Sequence, residues 1–235
     1  MKWRNLVKIA KILAFLLMVG GIVFWLQSSF WQIKKISCLL NNTDCPDKLL
    51  ADLMRLSLGK NSFFLSAKKV TLQIKEDYPQ LEEVKIKKNL PSGINFFLTT
   101  RQPQVAINGD KFHLVDEFGV VIEKKDTPGD YPLVFFDPPA NLKIGDQFSQ
   151  PEILKTISVI IGLKLRLIEP KFAKIISDTQ IEIQLKDDIQ TIFSLKKEVI
   201  VQLDSLQLIL SRAKIEGRTL GRVDLRFDKP IVSER

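Results

Sequence analysis

The chain has 235 residues, 45% of them hydrophobic and 26% charged, which is enough for one large or two small globular domains. The net charge is +8, to which the first eleven residues contribute +4, residues 30–103 contribute +5 and residues 104–235 contribute −1. Because the basic residues are not interleaved with aromatic residues that could stack on bases, the sequence argues against nucleic-acid binding.

An uncharged run of 22 residues occupies positions 12–33. As a helix it would be about 33 Å long, which is enough to cross the hydrocarbon core of a bilayer. The preceding residues 1–11 are basic without any acidic residue, and a positive flank of this kind stays in the cytoplasm. Trp25 and Trp31 stand near the far end, where indole rings favour the membrane–water boundary. We therefore expect a short cytoplasmic tail and a single transmembrane helix.

Two other interpretations compete with a membrane anchor. A cleaved signal peptide would need small residues after a shorter apolar core, whereas this run ends in Gln-Ser-Ser-Phe-Trp. A helix buried in a soluble core would carry a polar stripe, and residues 12–26 have none. The anchor is the favoured interpretation, and it places most of the chain outside the cytoplasm.

The chain has two cysteines, Cys38 and Cys45. Outside the cytoplasm a disulfide between them is chemically allowed, and it would join the end of a strand to the start of a helix. Two free thiols are the alternative. Two cysteines without a nearby histidine do not make a zinc site.

Hydrophobic periodicity predicts the order β-α-α-β-β in residues 30–103. The predicted elements are a strand over 30–40, helices over 46–59 and 66–77, and a hairpin over 84–100. Ser66 is the expected N-cap of the second helix, and Tyr78-Pro79 ends it.

Residues 104–235 predict a mixed β-sheet with two flanking helices, so the whole chain has an α+β fold. The predicted elements are a hairpin over 114–122, a strand over 131–136, a helix over 151–168, a hairpin over 181–195, a helix over 197–214 and a last strand over 221–228. In the last strand apolar and charged residues alternate, which suits a sheet edge because charge discourages unwanted pairing.

Several short strings, in their order along the chain, resemble the cell-division family FtsQ/DivIB. FWQIKKISCL resembles the entry strand of that family, GKNSFFLS its link between two helices, and YPQLEEVKIKKNLPSGINFFLTTRQPQVAI its following hairpin. FHLVDEFGVVIEK, QLDSLQLIL and VDLRFDKPIV resemble its later hairpin, helix and terminal strand. Lys88 stands where the family usually has Arg, and Thr100 where it has an acidic residue. The resemblance covers about residues 12–232.

The resemblance implies a POTRA domain over 30–103 and a C-terminal β domain of the FtsQ/DivIB type over 104–235. It also implies a divisome scaffold that crosses the cell membrane once, concentrates at the septum and helps to regulate septal peptidoglycan synthesis. The implied partners are bitopic coiled-coil division proteins similar to FtsB/DivIC and FtsL, together with the lipid bilayer.

In this family a partner chain adds to the sheet at the terminal strand, by β-augmentation. The resemblance therefore implies a partner-binding site made of Arg222, Asp224, Arg226, Phe227 and Asp228. Phe227 would supply an aromatic contact and Arg226 a bidentate or stacked one. The alternative is that these are solvated edge residues without a partner.

The sequence offers little catalytic chemistry. His113 lies in a predicted strand without a nucleophile motif, and the adjacent carboxylates Asp116-Glu117 and Asp187-Asp188 lie in predicted turns. We expect no enzyme activity, cofactor, metal or small-molecule substrate. The alternatives are another POTRA-containing envelope protein acting in protein export, which would need a long β-barrel, and an anchored envelope enzyme.

Overall fold

The computed structural model describes residues 2–139 and 141–235, although not the side chains of residues 2–12 and 14. The chain divides into an N-terminal unit, Met1–Thr100, and a C-terminal unit, Arg101–Arg235. In the described residues it has five α-helices and two mixed β-sheets, which is the α+β class that the sequence predicts.

The first helix, α1, covers Lys2–Leu26, and a short 3₁₀ turn follows at Ser29–Trp31. The predicted helix over 12–33 therefore ends early, because Gln27 and Ser28 begin a polar segment that leaves the helical path. The side chains of the predicted tail over 1–11 lie outside the described residues. Among the described residues, no helix has both the length and the hydropathy that a membrane crossing requires.

The N-terminal unit continues with a four-stranded sheet and two helices. Its elements are β1 (Lys35–Leu40), β2 (Thr43–Asp44), α2 (Asp47–Ser57), α3 (Ala67–Asp77), β3 (Leu81–Asn89) and β4 (Gly93–Thr100). The strand order is β2-β1-β4-β3, with β1 parallel to β4 and antiparallel pairing in the hairpin β3–β4. The predicted order β-α-α-β-β is present, with the two-residue β2 added after β1.

Both helices of this unit place an apolar stripe in its core. The buried side chains include Leu49, Leu53, Val70, Ile74, Ile94 and Phe96. Ser66 caps α3 as the sequence predicts, since its Oγ accepts the backbone N–H of Lys69 at 3.4 Å. Burial of each large apolar side chain contributes about 1.5–3 kcal/mol, so these stripes hold the helices against the sheet.

The C-terminal unit is built on a nine-stranded sheet. Its elements are β5 (Val105–Ile107), β6 (Phe112–Val115), β7 (Val121–Lys125), β8 (Leu133–Phe135), α4 (Pro151–Leu165), β9 (Pro170–Ser177), β10 (Gln180–Leu185), β11 (Gln190–Ser194), α5 (Val199–Glu216), β12 (Leu220–Asp224) and β13 (Ile231–Glu234). The strand order is β13-β12-β11-β10-β9-β8-β5-β6-β7, so β13 and β7 are the two edges.

The sequence-based prediction does not include the three-residue β5, and it also lacks two further strands of this sheet, β9 and β13. The first begins at Pro170, which lowers the strand propensity of the segment. Proline is nevertheless compatible with the first residue of a strand, where the missing N–H does least harm to the ladder. The second lies beyond the segment that the sequence predicts to be the last strand.

Cys38 at β1 and Cys45 just after β2 are joined in a disulfide. The two strands already form a short antiparallel pair, and the backbone N–H of Cys45 donates to the carbonyl of Cys38 at 3.3 Å. Both cysteines are buried with the core of the N-terminal unit. The cross-link therefore fastens the entry strand to the segment that leads into α2.

Reduction of this disulfide should lower the free energy of unfolding of the N-terminal unit by about 2–3 kcal/mol, because a closed loop of this length restricts the unfolded chain. All three tryptophans lie within residues 1–31, so tryptophan fluorescence during denaturant unfolding of the full chain with and without dithiothreitol measures the effect. The double variant Cys38→Ala/Cys45→Ala is the control and should not respond to the reductant. Equal midpoints for the native chain in both conditions would contradict the prediction.

Candidate functional site

The structure corrects the predicted edge strand over 221–228. β12 ends at Asp224 and lies between β11, to which it is parallel, and β13, to which it is antiparallel. The chain leaves the ladder after Leu225, whose N–H donates to the carbonyl of Ile192 at 2.9 Å. Pro230 has no N–H to give to a ladder, and beyond it the chain returns as β13. The outermost strand is therefore β13 and not the segment 221–228.

Asp224 and Arg226 do not lie on a solvated outer face of a strand, as the sequence predicts. They form an ion pair with each other. Asp224 is only 6% exposed, and its carboxylate accepts the Arg226 Nη2–H at 2.6 Å and Nε–H at 2.9 Å. The same carboxylate accepts the backbone N–H of Arg226 at 3.1 Å. Asp224 thus closes an Asx-type turn at the end of β12, which explains why the alternating pattern does not continue as a strand.

The guanidinium of Arg226 also reaches a neighbouring part of the sheet. Its Nη1–H donates to Oε1 of Gln180, the first residue of β10, at 2.8 Å. The hydrogen bonds from Arg226 hold the pKa of Asp224 below its ordinary value, although desolvation acts in the opposite direction. The hydrogen bond to Asp224 in turn raises the pKa of Arg226. Both groups are therefore charged at neutral pH and fix the chain that follows β12.

Phe227, Asp228 and Arg222 are accessible from solvent. Phe227 is 50% exposed, and the guanidinium carbon of Arg226 lies 5.6 Å from the centre of its ring. Asp228 accepts a hydrogen bond from Lys197 Nζ at 2.6 Å, just before α5. Arg222 pairs in register with Ser233 across β12 and β13. Three of the five predicted residues are therefore at the surface, while the other two shape the turn that carries Phe227.

A groove of about 330 Å³ lies beside Phe227. It runs between the first turns of α5 and the loop that follows β12, and its lining includes Lys197, Val201, Ser205, Leu225, Phe227 and Pro230. Val201 is largely exposed, as is its neighbour Ile200. The groove therefore offers an apolar floor, with the charged pair of Lys197 and Asp228 at its rim.

The two edges of the nine-stranded sheet differ in chemistry. β7 carries charged residues, and Lys125 Nζ contacts the Glu123 carboxylate at 3.2 Å on the same strand. β13 instead begins with two exposed apolar residues, Ile231, at 57%, and Val232, and its charged residue, Glu234, is paired with Arg218. Charges on an edge discourage pairing with another chain, whereas an exposed apolar edge favours it. The sequence-based prediction missed β13, and the only signal for it was the apolar pair after Pro230.

Two of the groups that the sequence singles out as candidate chemistry, His113 and Asp116, have structural partners. His113 is fully buried, and its Nε2–H donates to the carbonyl of Leu142 at 3.1 Å. Asp116 accepts the N–H groups of Phe118 at 3.0 Å and Val120 at 2.8 Å, and it pairs with Arg101. Among the described residues no group of His, Cys, Asp or Glu side chains could hold a metal ion.

A larger groove, of about 680 Å³, lies between the ends of α4 and α5 and the turn after β10. Its lining carries both signs of charge, including Arg166, Glu169, Lys186, Asp187 and Arg218. It contains none of the predicted site residues. Three of its basic residues, Arg166, Lys186 and Arg218, are already paired with carboxylates, so the groove does not favour one class of charged ligand.

Comparison with known proteins finds a distant relative. No family model matches the chain. The cell division protein DivIB of Clostridium botulinum (strain Loch Maree / Type A3) is 26% identical to it over 125 residues, which cover 53% of this chain and 48% of the relative. The chain therefore matches about half the length of this relative. The similarity supports a distant relationship to DivIB and suggests a role in cell division.

Proposed function

We propose that this chain is a scaffold of cell division that binds a bitopic division protein through the exposed edge strand β13. The observation that carries the proposal is the apolar edge of β13 beside the groove at Phe227. The distant similarity to DivIB and the order of the FtsQ/DivIB-like strings support the same role. The proposed partner is an extended segment of a protein similar to FtsB/DivIC or FtsL.

Binding would proceed by β-augmentation. The backbone N–H and C=O groups of β13 that point away from β12 would pair with the partner strand and supply affinity without regard to side chains. An apolar partner residue in the groove at Phe227 and Val201 would supply most of the selectivity. The exposed charges of Arg222 and Asp228 would contribute to register and to the rate of association.

Asp224 and Arg226 act differently in this proposal from the partner contacts that the sequence suggests. Their ion pair holds the turn that presents Phe227, and the bond to Gln180 ties this turn to β10. They are therefore positioning residues. Loss of either one would displace Phe227 and the start of β13 without removing a direct contact to the partner.

The proposed scaffold is held in the cell membrane by the apolar run that begins at residue 12, most of which lies in α1, with a cytoplasmic N-terminus and residues 34–235 outside the cytoplasm. The basic tail supports this orientation. The Cys38–Cys45 disulfide supports it as well, because structural disulfides persist mainly outside the reducing cytoplasm. Concentrated at the septum, the scaffold would bring its partners to the machinery of septal peptidoglycan synthesis and help to regulate it.

Depletion of the protein in its own organism tests the cellular role. We expect long filaments without septa, because a missing scaffold would leave its division partners unassembled, and microscopy of the depleted cells measures this. Restoring the native chain should restore septa. Cells that divide normally after depletion would contradict the proposal.

The substitution Phe227→Ala should weaken the complex with the partner by about tenfold or more, because an aromatic side chain in a groove is a typical binding hot spot. Calorimetric titration with the extracytoplasmic segment of the FtsB/DivIC-like protein from the same genome measures the dissociation constant. The matched control is Phe118→Ala, which removes an aromatic side chain of similar exposure, 51%, from the other end of the sheet. Equal affinity of both variants and the native chain would exclude the groove as the binding site.

The substitution Arg226→Gln should destabilise the C-terminal unit by about 1–3 kcal/mol at neutral pH, because it leaves the buried carboxylate of Asp224 without its cation. Denaturant unfolding measures this, and Arg222→Gln is the exposed control. The lowered pKa of Asp224 stabilises the fold above the ordinary value of 3.8 and ceases to do so as the pH falls through the lowered pKa. The stability difference between native chain and variant should therefore narrow below pH 3.8, and a constant difference would contradict it.

A further inference from the structure

Five aromatic side chains gather where α1 ends and the sheet of the N-terminal unit begins. They come from the last turn of α1, from the segment after it and from the link between α2 and α3, and we call them the aromatic cluster: Trp25, Phe30, Trp31, Phe63 and Phe64. Trp31 is central, with its ring centre 5.1 Å from Trp25, 5.4 Å from Phe30 and 6.0 Å from Phe63. Phe64 continues the cluster at 5.6 Å from Phe63.

Hydrogen bonds from Asn61 and Ser62 hold the end of α1 and the segment after it to the link between α2 and α3. The Asn61 side chain donates to the carbonyl of Leu26, the last residue of α1, at 2.6 Å, and the N–H of Ser62 donates to the carbonyl of Trp31 at 2.7 Å. Oδ1 of Asn61 also accepts the N–H of Phe63 at 2.9 Å, which fixes the turn that carries the two phenylalanines. The aromatic cluster is therefore built by the fold and not by a chance approach of mobile side chains.

Four members of the aromatic cluster are more than half exposed, namely Trp25, Phe30, Phe63 and Phe64. Removing an aromatic side chain of this size from water contributes about 1.5–3 kcal/mol, so exposing four of them together is unfavourable unless another surface covers them. The link between α2 and α3 has no need of two phenylalanines for its own packing, because Phe63 and Phe64 are outside the buried core of the unit.

Two features indicate what covers the aromatic cluster. It is continuous with α1, whose described side chains include exposed Leu16, Leu17 and Phe24. It is also flanked by lysines: Lys34 and Lys60 are exposed, and Lys88 Nζ lies 3.4 Å from the carbonyl of Phe63. Aromatic rings beside basic groups suit the headgroup layer of a bilayer, where rings meet the acyl boundary and lysines meet anionic phosphates.

We infer that the aromatic cluster is a lipid-binding surface, which places Phe63 and Phe64 among the headgroups of an anionic phospholipid bilayer. This inference rests on the proposed membrane anchor. The contact would fix the N-terminal unit against the membrane surface, so that it does not swing freely about the end of α1. Asn61 and Ser62 would link this contact to α1, because Asn61 is hydrogen-bonded to Leu26 and Ser62 to Trp31.

Depth-dependent fluorescence quenching tests the inference on the full chain. A bimane label is placed by Phe64→Cys, which is selective because Cys38 and Cys45 are joined in a disulfide. The chain is reconstituted in vesicles of phosphatidylcholine and phosphatidylglycerol that contain lipids spin-labelled at the headgroup. We expect the Phe64→Cys label to lose most of its fluorescence.

The matched control is a label at Phe97→Cys, another partly exposed aromatic position of the same unit. It lies four residues along β4 from Gly93, about 13 Å from the strand end that contacts Lys34, and it should keep its fluorescence. Equal quenching at both positions, or no quenching at Phe64→Cys, would overturn the inference. Protection of the label at Phe64→Cys from both the lipid quencher and aqueous iodide would also overturn the inference, since the label would then be buried against protein.

A third label, at Leu16→Cys in α1, separates this inference from the proposed anchor. Lipids spin-labelled along the acyl chain should quench it if α1 crosses the bilayer. Quenching at Leu16→Cys without quenching at Phe64→Cys would leave the anchor standing and reject the lipid-binding surface. Absence of acyl-chain quenching at Leu16→Cys would reject the anchor, and the inference would fail with it.

Discussion

An open β-sheet ends in strands whose outward backbone groups have no partner in the sheet, and this constraint limits the proposed strand pairing of the C-terminal unit to its two edges. The two edge strands of the sheet carry different side chains. β7 carries Glu123 and Lys125 in contact with each other, while β13 exposes Ile231 and Val232. Because the charged end resists pairing and the apolar end does not, the proposed partner strand is expected at β13.

The position of β13 depends in turn on a short-range electrostatic contact. Asp224 closes a turn on the backbone N–H of Arg226 and holds its guanidinium, so the chain leaves the ladder one residue after β12. Without that turn, the alternating pattern predicts a strand that continues to Asp228, with Phe227 on one face of the sheet. With it, Phe227 stands beside the start of α5 and lines a groove.

Much of the fold could be predicted from the sequence, because the helices α2 to α5 carry clear apolar stripes and the hairpins alternate with a period of two. The reversal after Asp224 could not, since the same alternation is compatible with a continuous strand and with an Asx-type turn. The strand β9, which begins at Pro170, was also missed, because proline has a low strand propensity although the first position of a strand in a sheet tolerates it. The structure therefore corrects the solvated outer face that the sequence predicts for Asp224 and Arg226, while partner binding by this region stays a proposal.

The distribution of charge fits the two proposed surfaces. Residues 30–103 carry a net charge of +5 and residues 104–235 carry −1. Lysines near an anionic leaflet contribute about 1 kcal/mol each, so a basic excess favours a unit that rests on lipid. A nearly neutral unit gains little from such a surface, and its affinity for a partner must come from strand pairing and from apolar contacts. The proposed lipid contact of the aromatic cluster and the proposed strand pairing at β13 are both consistent with this division of charge.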